Sequence, residues 1–501
     1  MPSPENVLRD ARLEKLGRLR NKGVDPYPNT YKRTHTSNQA KIVYRASLEK
    51  SDIKSDRLLV SVAGRVTAWR SMGKATFLDL VDIDGKIQVI FKQDTLEGDY
   101  EDLKDIDIGD WLGVSGFLFE TRTKEITVEV KQWQLLSKSI RPLPEKWHGL
   151  TEIETRYRQR YLDLIANENS REIVKLRSRT VSAVRSFMND RKFLEVETPV
   201  LVSVPAGGTA RPFSTHYNML GRDLYLRIAT ELYLKRLIVG GIEKVYEIGR
   251  IFRNEGFDHT HNPEFTMMES YEALSDYKDV MRMTEDLLCF VSQSVLKKTE
   301  VEFNGNNIDF TSPWKKIVLK DAVKEYTCID LDLCKDMESL SLAMEQIGIN
   351  PSGQKTWGGM VDKIIDIKIQ PNFIQPTFLI DYPVEMSPLA KKKPEDPEYV
   401  ERFEGFIAGM EVCNAFSELN DPIDQRARLE IQESLREKYD LEETDRLDED
   451  YILALEHGMP PTGGLGLGID RLVMLLSNQN SIREVILFPQ LKSQHVEDND
   501  D

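Results

Sequence analysis

The stretch FRNEGFDHTHNPEF, Phe252 to Phe265, gathers residues suited to chemistry on a compact anion. Arg253 and Glu255 lie two apart, and His261, Asn262 and Phe265 follow a turn-rich run. The planar fork of arginine suits phosphate or carboxylate. An aromatic face suits a purine base, and a histidine in the connecting loop can reach further phosphate. The flanking segments KVYEIGRIFRNE and PEFTMMESY both alternate, which predicts an antiparallel hairpin. Alternation puts Ile251, Arg253 and Glu255 on one face of the first strand, and Phe265, Met267, Glu269 and Tyr271 on one face of the second. If the faces coincide, the hairpin shows water an arginine, two glutamates, a tyrosine and a phenylalanine. A surface hairpin with ordinary ion pairs is the plain alternative.

Two further segments carry chemical signals. In PPTGGLGLGIDRLVMLL, Gly464, Gly466 and Gly468 recur at a period of two before Asp470 and Arg471 open a helix. The spacing is not GxGxxG, so no dinucleotide fingerprint is present. Glycines at alternate strand positions strip one face of side chains, so a nucleotide could lie flat on the backbone with Arg471 directed at it. A glycine-rich bend at a sheet edge is the alternative. In RKFLEVETPVL, Arg191 to Leu201, a helix ends, a strand starts and Pro199 interrupts it, which suits an edge strand or an interface.

The elements that must position these residues can be read along the chain. Val7 to Lys22 predicts a basic helix, either solvated or facing RNA, ended by GVDPYP. From Arg57 to Ser139, five short strands in about eighty residues suggest a small closed barrel of the oligonucleotide-binding (OB) type. Residues 141–170 read as an interdomain hinge with a docking helix. Helical periodicity over Arg171 to Arg191 and irregular alternation of strands and helices beyond it suggest an α+β domain over 171–494, its sheet mostly antiparallel. A helical insertion is expected at about 302–369, an N-terminal helical extension over 1–56 and a disordered acidic tail over 495–501.

Composition narrows the classes. At 501 residues the chain is too long for one ordinary core. Hydrophobic content of 40% and charged content of 30% fit a globular protein without a signal peptide or membrane span. Cys289, Cys328, Cys334 and Cys413 show no CxxC pairing, so disulfides and a cysteine zinc site are not expected and a cytoplasmic setting is. A net charge of −16 argues against indiscriminate nucleic-acid binding, but leaves room for a local basic groove or a small anionic substrate.

The three segments, in this order, resemble the three motifs of class II aminoacyl-tRNA synthetases. RYRQRYLDL, VETPVL, PAGGTARPF, LYLRIATELYLKRLIVGG, FRNEGFDHTHNPEFTMMESY, EVCNAFSELNDP and GLGIDR are closer still to the bacterial type of lysyl-tRNA synthetase, from the N-terminal helix to about Phe488. The first motif departs at Lys192, where the family usually has glycine.

This resemblance implies an OB-fold anticodon domain and an antiparallel catalytic sheet flanked by helices. It also implies activation of L-lysine by ATP and Mg2+ to lysyl-adenylate, then transfer of lysine to the 3′ end of tRNA(Lys). Arg253 would contact the lysine carboxylate and α-phosphate, Glu255 the adenine amino group, and His261 and Asn262 the phosphates. Phe265 and Arg471 would sandwich the adenine, Arg471 also touching the γ-phosphate. Glu404 and Glu411 would hold Mg2+, with Glu404 also counted in the ATP site. Glu231, Glu269, Tyr271 and Glu418 would form the lysine pocket, with Gly207, Arg253, Asn414, Phe416 and Gly466 beside them. A neutral or acidic amino acid would leave those carboxylates unpaired. Strict alternation puts Glu411 on the face opposite Asn414, Phe416 and Glu418, so a bulge or turn between Glu411 and Asn414 is required if all serve one site. Phe77 and Gln88 would read the anticodon, with Arg70 beside them, although a strand phenylalanine packed inward is the ordinary alternative. A homodimer is implied, while DNA and membrane partners are not expected. Aspartyl- and asparaginyl-tRNA synthetases, the lysyl-transferring paralogue that modifies elongation factor P, and a noncatalytic RNA-binding module are the competing readings.

Overall fold

The computed structural model describes residues 4–49, 58–97, 100–144, 150–208, 210–439 and 446–492. The expected acidic tail and residues 145–149 of the expected hinge lie outside them. The chain forms two compact units, Met1–Thr151 and Glu152–Asp501.

The first unit opens with α1 (Pro4–Asn21) and α2 (Ser37–Glu49). Strands β1 (Leu59–Met72), β2 (Ala75–Val81), β3 (Lys86–Lys92), β4 (Trp111–Glu120) and β5 (Ile126–Ser137) close into a barrel of order β1-β2-β3-β5-β4. Alternate residues such as Leu78, Leu80, Ile87 and Val89 point inward and fill its core. Three of the basic residues of α1, Arg12, Lys15 and Arg18, are engaged with the barrel, while Arg20 is exposed. Leu16 and Leu19 are buried beneath the helix. Lys15 binds Asp107 at 2.6 Å, Arg18 binds Asp105 at 2.9 Å, and Arg12 donates to the carbonyls of Ile108 and Ser139. The charges on this helix therefore dock it to the barrel.

The second unit begins with α3 (Ile153–Arg158), α4 (Arg160–Ala166) and α5 (Glu168–Asp190). Within the expected hinge, α3 and α4 thus belong to the second unit and are tied to its last turns: Arg156 pairs with Glu484 at 2.8 Å, and Arg160 donates to the carbonyl of Leu487. After α5 come β6 (Leu194–Glu195), β7 (Leu201–Val202), β8 (Ser214–Tyr217), β9 (Arg222–Leu226) and α6 (Glu231–Val239). The hairpin β10 (Lys244–Phe252) and β11 (Glu264–Ala273) follows, then α7 (Tyr277–Leu296). Pro199 separates β6 from β7, which lie in different sheets. Lys192 adopts the left-handed conformation at φ +68°, which explains why a glycine is the usual residue at this helix-to-strand turn.

The expected helical insertion is only partly helical. It contains the hairpin β12 (Glu300–Phe303) and β13 (Asn306–Asp309) and the edge strand β14 (Lys315–Val318), before α8 (Leu319–Thr327), α9 (Met337–Gln346) and α10 (Trp357–Ile364). A π-helical turn, Ile365–Ile369, continues α10. The remaining elements are β15 (Thr377–Pro383), β16 (Tyr399–Ile407), β17 (Met410–Ser417), α11 (Pro422–Tyr439), α12 (Glu449–Glu456), β18 (Thr462–Gly468), α13 (Ile469–Ser477) and α14 (Ile482–Val485).

Eight strands form the main sheet in the order β14-β15-β16-β17-β18-β11-β10-β6, antiparallel except at its two edge pairs. Met268, Leu465, Leu467, Cys413 and Ala415 share a core with apolar residues of α5, α7 and α13. The alternate residues of the same strands face the other way and build the site.

Candidate functional site

Register aligns residues across the sheet. Glu269 lies opposite Gly466, Gly466 opposite Asn414, and Asn414 opposite Glu404. The next row runs Tyr271, Gly464, Phe416 and Arg402. Directly paired residues share a face, so strands far apart in the chain present their functional groups to one cavity of about 420 Å³. Every residue of the catalytic unit singled out in the sequence lines it. The hairpin faces coincide as alternation required, since Ile251 pairs with Phe265. They open to water only in part: Glu255 is exposed, but Glu269 and Tyr271 are each 4% exposed.

The required bulge is present. Gly405 pairs with Cys413 but Phe406 pairs with Glu411, leaving Val412 as the extra residue. Val412 and Cys413 both join the core, so Glu411 returns to the face carrying Asn414 and Phe416. Gly464 also has a sharper role than a bare surface for a nucleotide. A Cβ there would strike the Glu418 carboxylate and approach the Tyr271 ring to 2.6 Å. At Gly466 and Gly468 a Cβ would meet nothing closer than 3.6 Å. Gly464 therefore makes room for the acidic end of the cavity.

That end is dense in charge. Glu231, the first residue of α6, Glu269 and Glu418 are all buried. The backbone amide of Thr230 donates to Glu269 at 3.1 Å, and the Tyr271 hydroxyl donates to its other oxygen at 3.3 Å. Burial, reinforced by the Glu231 carboxylate, pushes Glu269 from its ordinary 4.5 up to about 7. Gly207, in the left-handed region at φ +90°, places its backbone beside Ala229 and Glu231, where a Cβ would come within 3.3 Å of both.

The opposite end is cationic. Arg253 extends from the hairpin with its guanidinium 5.3 Å from the centre of the Phe265 ring, and its buried Nε has no hydrogen-bond partner. Arg471 donates to the carbonyl of Glu411 at 2.5 Å and lies 3.2 Å from Nε2 of His261. Glu255 is exposed at the rim. Asn262 is placed differently from the other loop residues. It is 4% exposed and its amide donates to the carbonyl of Glu264 at 2.6 Å, so it braces the turn that presents His261.

Glu404, in the row of Glu269, and Glu411, beside Arg471, stand on the neighbouring strands β16 and β17. Arg402 and the Tyr382 hydroxyl donate to Glu404 at 2.6 and 2.7 Å. Burial still pushes this carboxyl up to about 7, against the pull of Arg402 and with the help of Glu411. Among the described residues no group of three histidine, cysteine or acidic side chains could hold a metal by itself. Two carboxylates suit a hard cation that arrives with phosphate oxygens.

On the barrel, Arg70 lies opposite Phe77, and Asp79, two residues along, lies opposite Gln88. Phe77 alternates with the core residues Leu78 and Leu80 and is half-buried on the outer wall, which disposes of the inward alternative. Arg70 donates to Asp79 at 2.9 Å, and Gln88 accepts from Thr127 at 2.9 Å.

Sequence reasoning passed over three site residues. Arg402 and Tyr382 carried no motif. Lys235 is fully buried behind the acidic end and binds Glu231 at 2.5 Å and Glu418 on its other side. Its signal was a glutamate and a lysine four apart on a helix, a spacing that ordinarily marks an exposed pair.

A barrel of nucleic-acid-binding type and a catalytic sheet with a carboxylate-rich and an arginine-rich end define a class II tRNA synthetase. The family model for class II synthetases of the D, K and N group matches residues 152–492, and that for the OB-fold nucleic acid binding domain matches residues 60–136. The chain is 52% identical to a lysine–tRNA ligase of Dehalococcoides mccartyi over 98% of both proteins. It is 51% identical to one of Pelotomaculum thermopropionicum, over 97% of this chain and 95% of the relative. It is 48% identical to one of Bacillus subtilis, over 96% of each. The chain belongs to the lysine–tRNA ligase family of class II synthetases.

Proposed function

We propose that the cavity activates L-lysine with ATP and passes the lysyl group to tRNA, the ligase reaction of the family. One observation carries the placement: three buried carboxylates close one end of a cavity whose other end bears Arg253 and Arg471. A lysine carboxylate oxygen attacks the α-phosphorus, diphosphate leaves, and lysyl-adenylate forms. The 3′-terminal ribose of tRNA then attacks the carbonyl carbon and AMP leaves. Arg253 compensates the charge shared by carboxylate and α-phosphate. Phe265 and Arg471 enclose the adenine, with Arg471 and His261 near the outer phosphates and Glu255 accepting from the adenine amino group. Glu231 takes the α-ammonium, while Glu269, Tyr271 and Glu418 take the ε-ammonium. Gly207, Asn414, Phe416 and Gly466 shape the walls. Catalysis is positioning and electrostatics rather than a covalent enzyme intermediate.

Mg2+ is the cofactor this reading calls for. Glu404 and Glu411 would hold it, and it would neutralise phosphate charge. A buried carboxyl that burial and Glu411 hold up even beside Arg402, as at Glu404, fits a site finished by a cation. The outer barrel wall with Arg70, Phe77 and Gln88 reads the anticodon of tRNA(Lys), Phe77 stacking on a base. The reading places the protein in the cytoplasm; no helix among the described residues is long and apolar enough to cross a membrane.

A homodimer is supported by the exposed Leu194, Leu201, Met219 and Leu220 around the first motif and the β7-β9-β8 sheet. Sedimentation at micromolar concentration should give twice the chain mass; a monomer refutes the dimer. ATP–diphosphate exchange across all twenty amino acids tests the reaction. Lysine alone should drive it, and exchange with aspartate instead would transfer the chain to a sister specificity. Glu418→Gln should raise KM for lysine about 10–100-fold and leave KM for ATP nearly unchanged. Equal losses for both substrates would remove Glu418 from the pocket.

A further inference from the structure

Behind the acidic end of the cavity the chain holds an ammonium of its own. Lys235 projects from α6, one turn after Glu231, and is completely shielded from solvent. Its Nζ sits between Glu231 and Glu418, 5.4 Å from the ring centre of Phe416, 5.9 Å from that of Tyr271 and 6.0 Å from that of Tyr451. Two carboxylates and three aromatic faces make a complete ammonium cage. The groups facing it come from four elements: Glu231 from α6, Glu269 and Tyr271 from β11, Glu418 and Phe416 from β17 and its end, and Tyr451 from α12. With all three carboxylates ionised, one ammonium leaves this region short of two positive charges. Lysine brings two, on its α- and ε-amino groups.

We propose that Lys235 is a positioning residue for amino-acid specificity: it clamps Glu231 to Glu418 and sets the charge deficit of the cavity at the two ammoniums of one lysine. The assignment rests on the reading of the cavity as the lysine site. Without Lys235, two dry carboxylates would share no counter-ion, and burial would force one of them to keep a proton. Lysine could then bind only by displacing it. Burial pushes the Glu418 carboxyl well above its ordinary range, and the Lys235 ammonium in direct contact offsets that push only in part, while Glu231 and Glu418 hold Lys235 charged against burial. By its contacts with both carboxylates Lys235 shifts binding away from a proton-coupled step and towards a preformed ionic one.

Calorimetry of lysine binding in buffers of different ionisation enthalpy counts the protons released. The wild-type protein should release no more than about one near pH 6.5, that of Glu269, and Glu269→Gln should abolish this release. Lys235→Gln should release about one proton more, raise Kd for lysine about 10-fold or more at pH 7, and recover affinity as pH rises. KM for ATP should not move. An unchanged proton count in Lys235→Gln, with or without a change in affinity, reduces Lys235 to packing and overturns the proposal. Should that variant not fold, release of two protons by the wild type overturns it equally. Glu418→Gln separates the two levels. If it leaves lysine binding intact, the pocket reading itself fails; if it weakens lysine while Lys235→Gln keeps the wild-type count, only the role of Lys235 fails.

Discussion

The charge of Glu269 should report whether the cavity is filled. In the empty cavity this carboxyl ionises only near 7 because it is buried beside Glu231, whereas in the unfolded chain it would ionise near its ordinary 4.5. A carboxyl raised on folding contributes stability below the unfolded value and loses it as pH climbs through the folded one. The ligand-free protein should therefore lose about 3 kcal/mol from this group between pH 4.5 and 7, and nothing further from it above that. A lysine ammonium reverses the preference, so lysine affinity should rise with pH through about 7 and then level. Thermal shift with and without lysine from pH 6 to pH 8 checks this, and a flat profile would contradict it. Gly464 gives a second test. Gly464→Ala should raise KM for lysine by 10-fold or more at about 1.4 kcal/mol per decade, because the added methyl occupies the space of Glu418 and Tyr271. Arg253 and Glu269 could be picked out in the sequence because arginine forks and strand alternation carry their own meaning, whereas Glu418 was named only through the family resemblance. Lys235 could not be picked out, since burial of an i,i+4 pair is decided by α12 and β17, far away in the chain.

At the level of elements, the turn at Lys192 is the place where one residue works against the backbone. A left-handed lysine costs about 1–2 kcal/mol, and glycine would remove that cost while adding about 0.4–1 kcal/mol of unfolded-state entropy. Lys192→Gly should therefore raise stability by up to about 1 kcal/mol, visible as a small increase in Tm. A fall in Tm would mean that the lysine side chain holds the turn by contacts of its own. Alternation made the strands of the site legible, and the clash of parity between Glu411 and Asn414 called for a bulge or turn between them, which the structure puts at Val412. The edge strand β14 was not legible, because KKIV is too short to show a period and takes its strand state from pairing with β15. The docking of α1 on the barrel was not legible for a related reason. A basic helix face reads as solvated or nucleic-acid-facing until the aspartates at 105 and 107 are seen to meet it.

For the whole molecule, the proposed function divides the work between the two units, and a substitution in one should be silent in the partial reaction of the other. Phe77→Ala should lower kcat/KM for tRNA about 10–100-fold, the equivalent of about 1–3 kcal/mol of base stacking, while lysine-dependent ATP–diphosphate exchange stays at its wild-type rate. Measuring both reactions on one preparation decides it; a matched fall in exchange would show that Phe77 acts on the fold instead. The division into barrel and α+β unit was readable from turn spacing and from the shift in periodicity. The transverse rows were not, because register between β11, β18 and β17 is set by pairing across nearly two hundred residues of chain. Those rows have one more consequence. If β18 settled one position out of place, Leu465 and Leu467 would replace the glycines facing the cavity and block the seats of amino acid and nucleotide together. Errors of assembly in this sheet should yield inert protein, not a lax catalyst that loads the wrong residue, and so spare the genetic code from a corrupted copy.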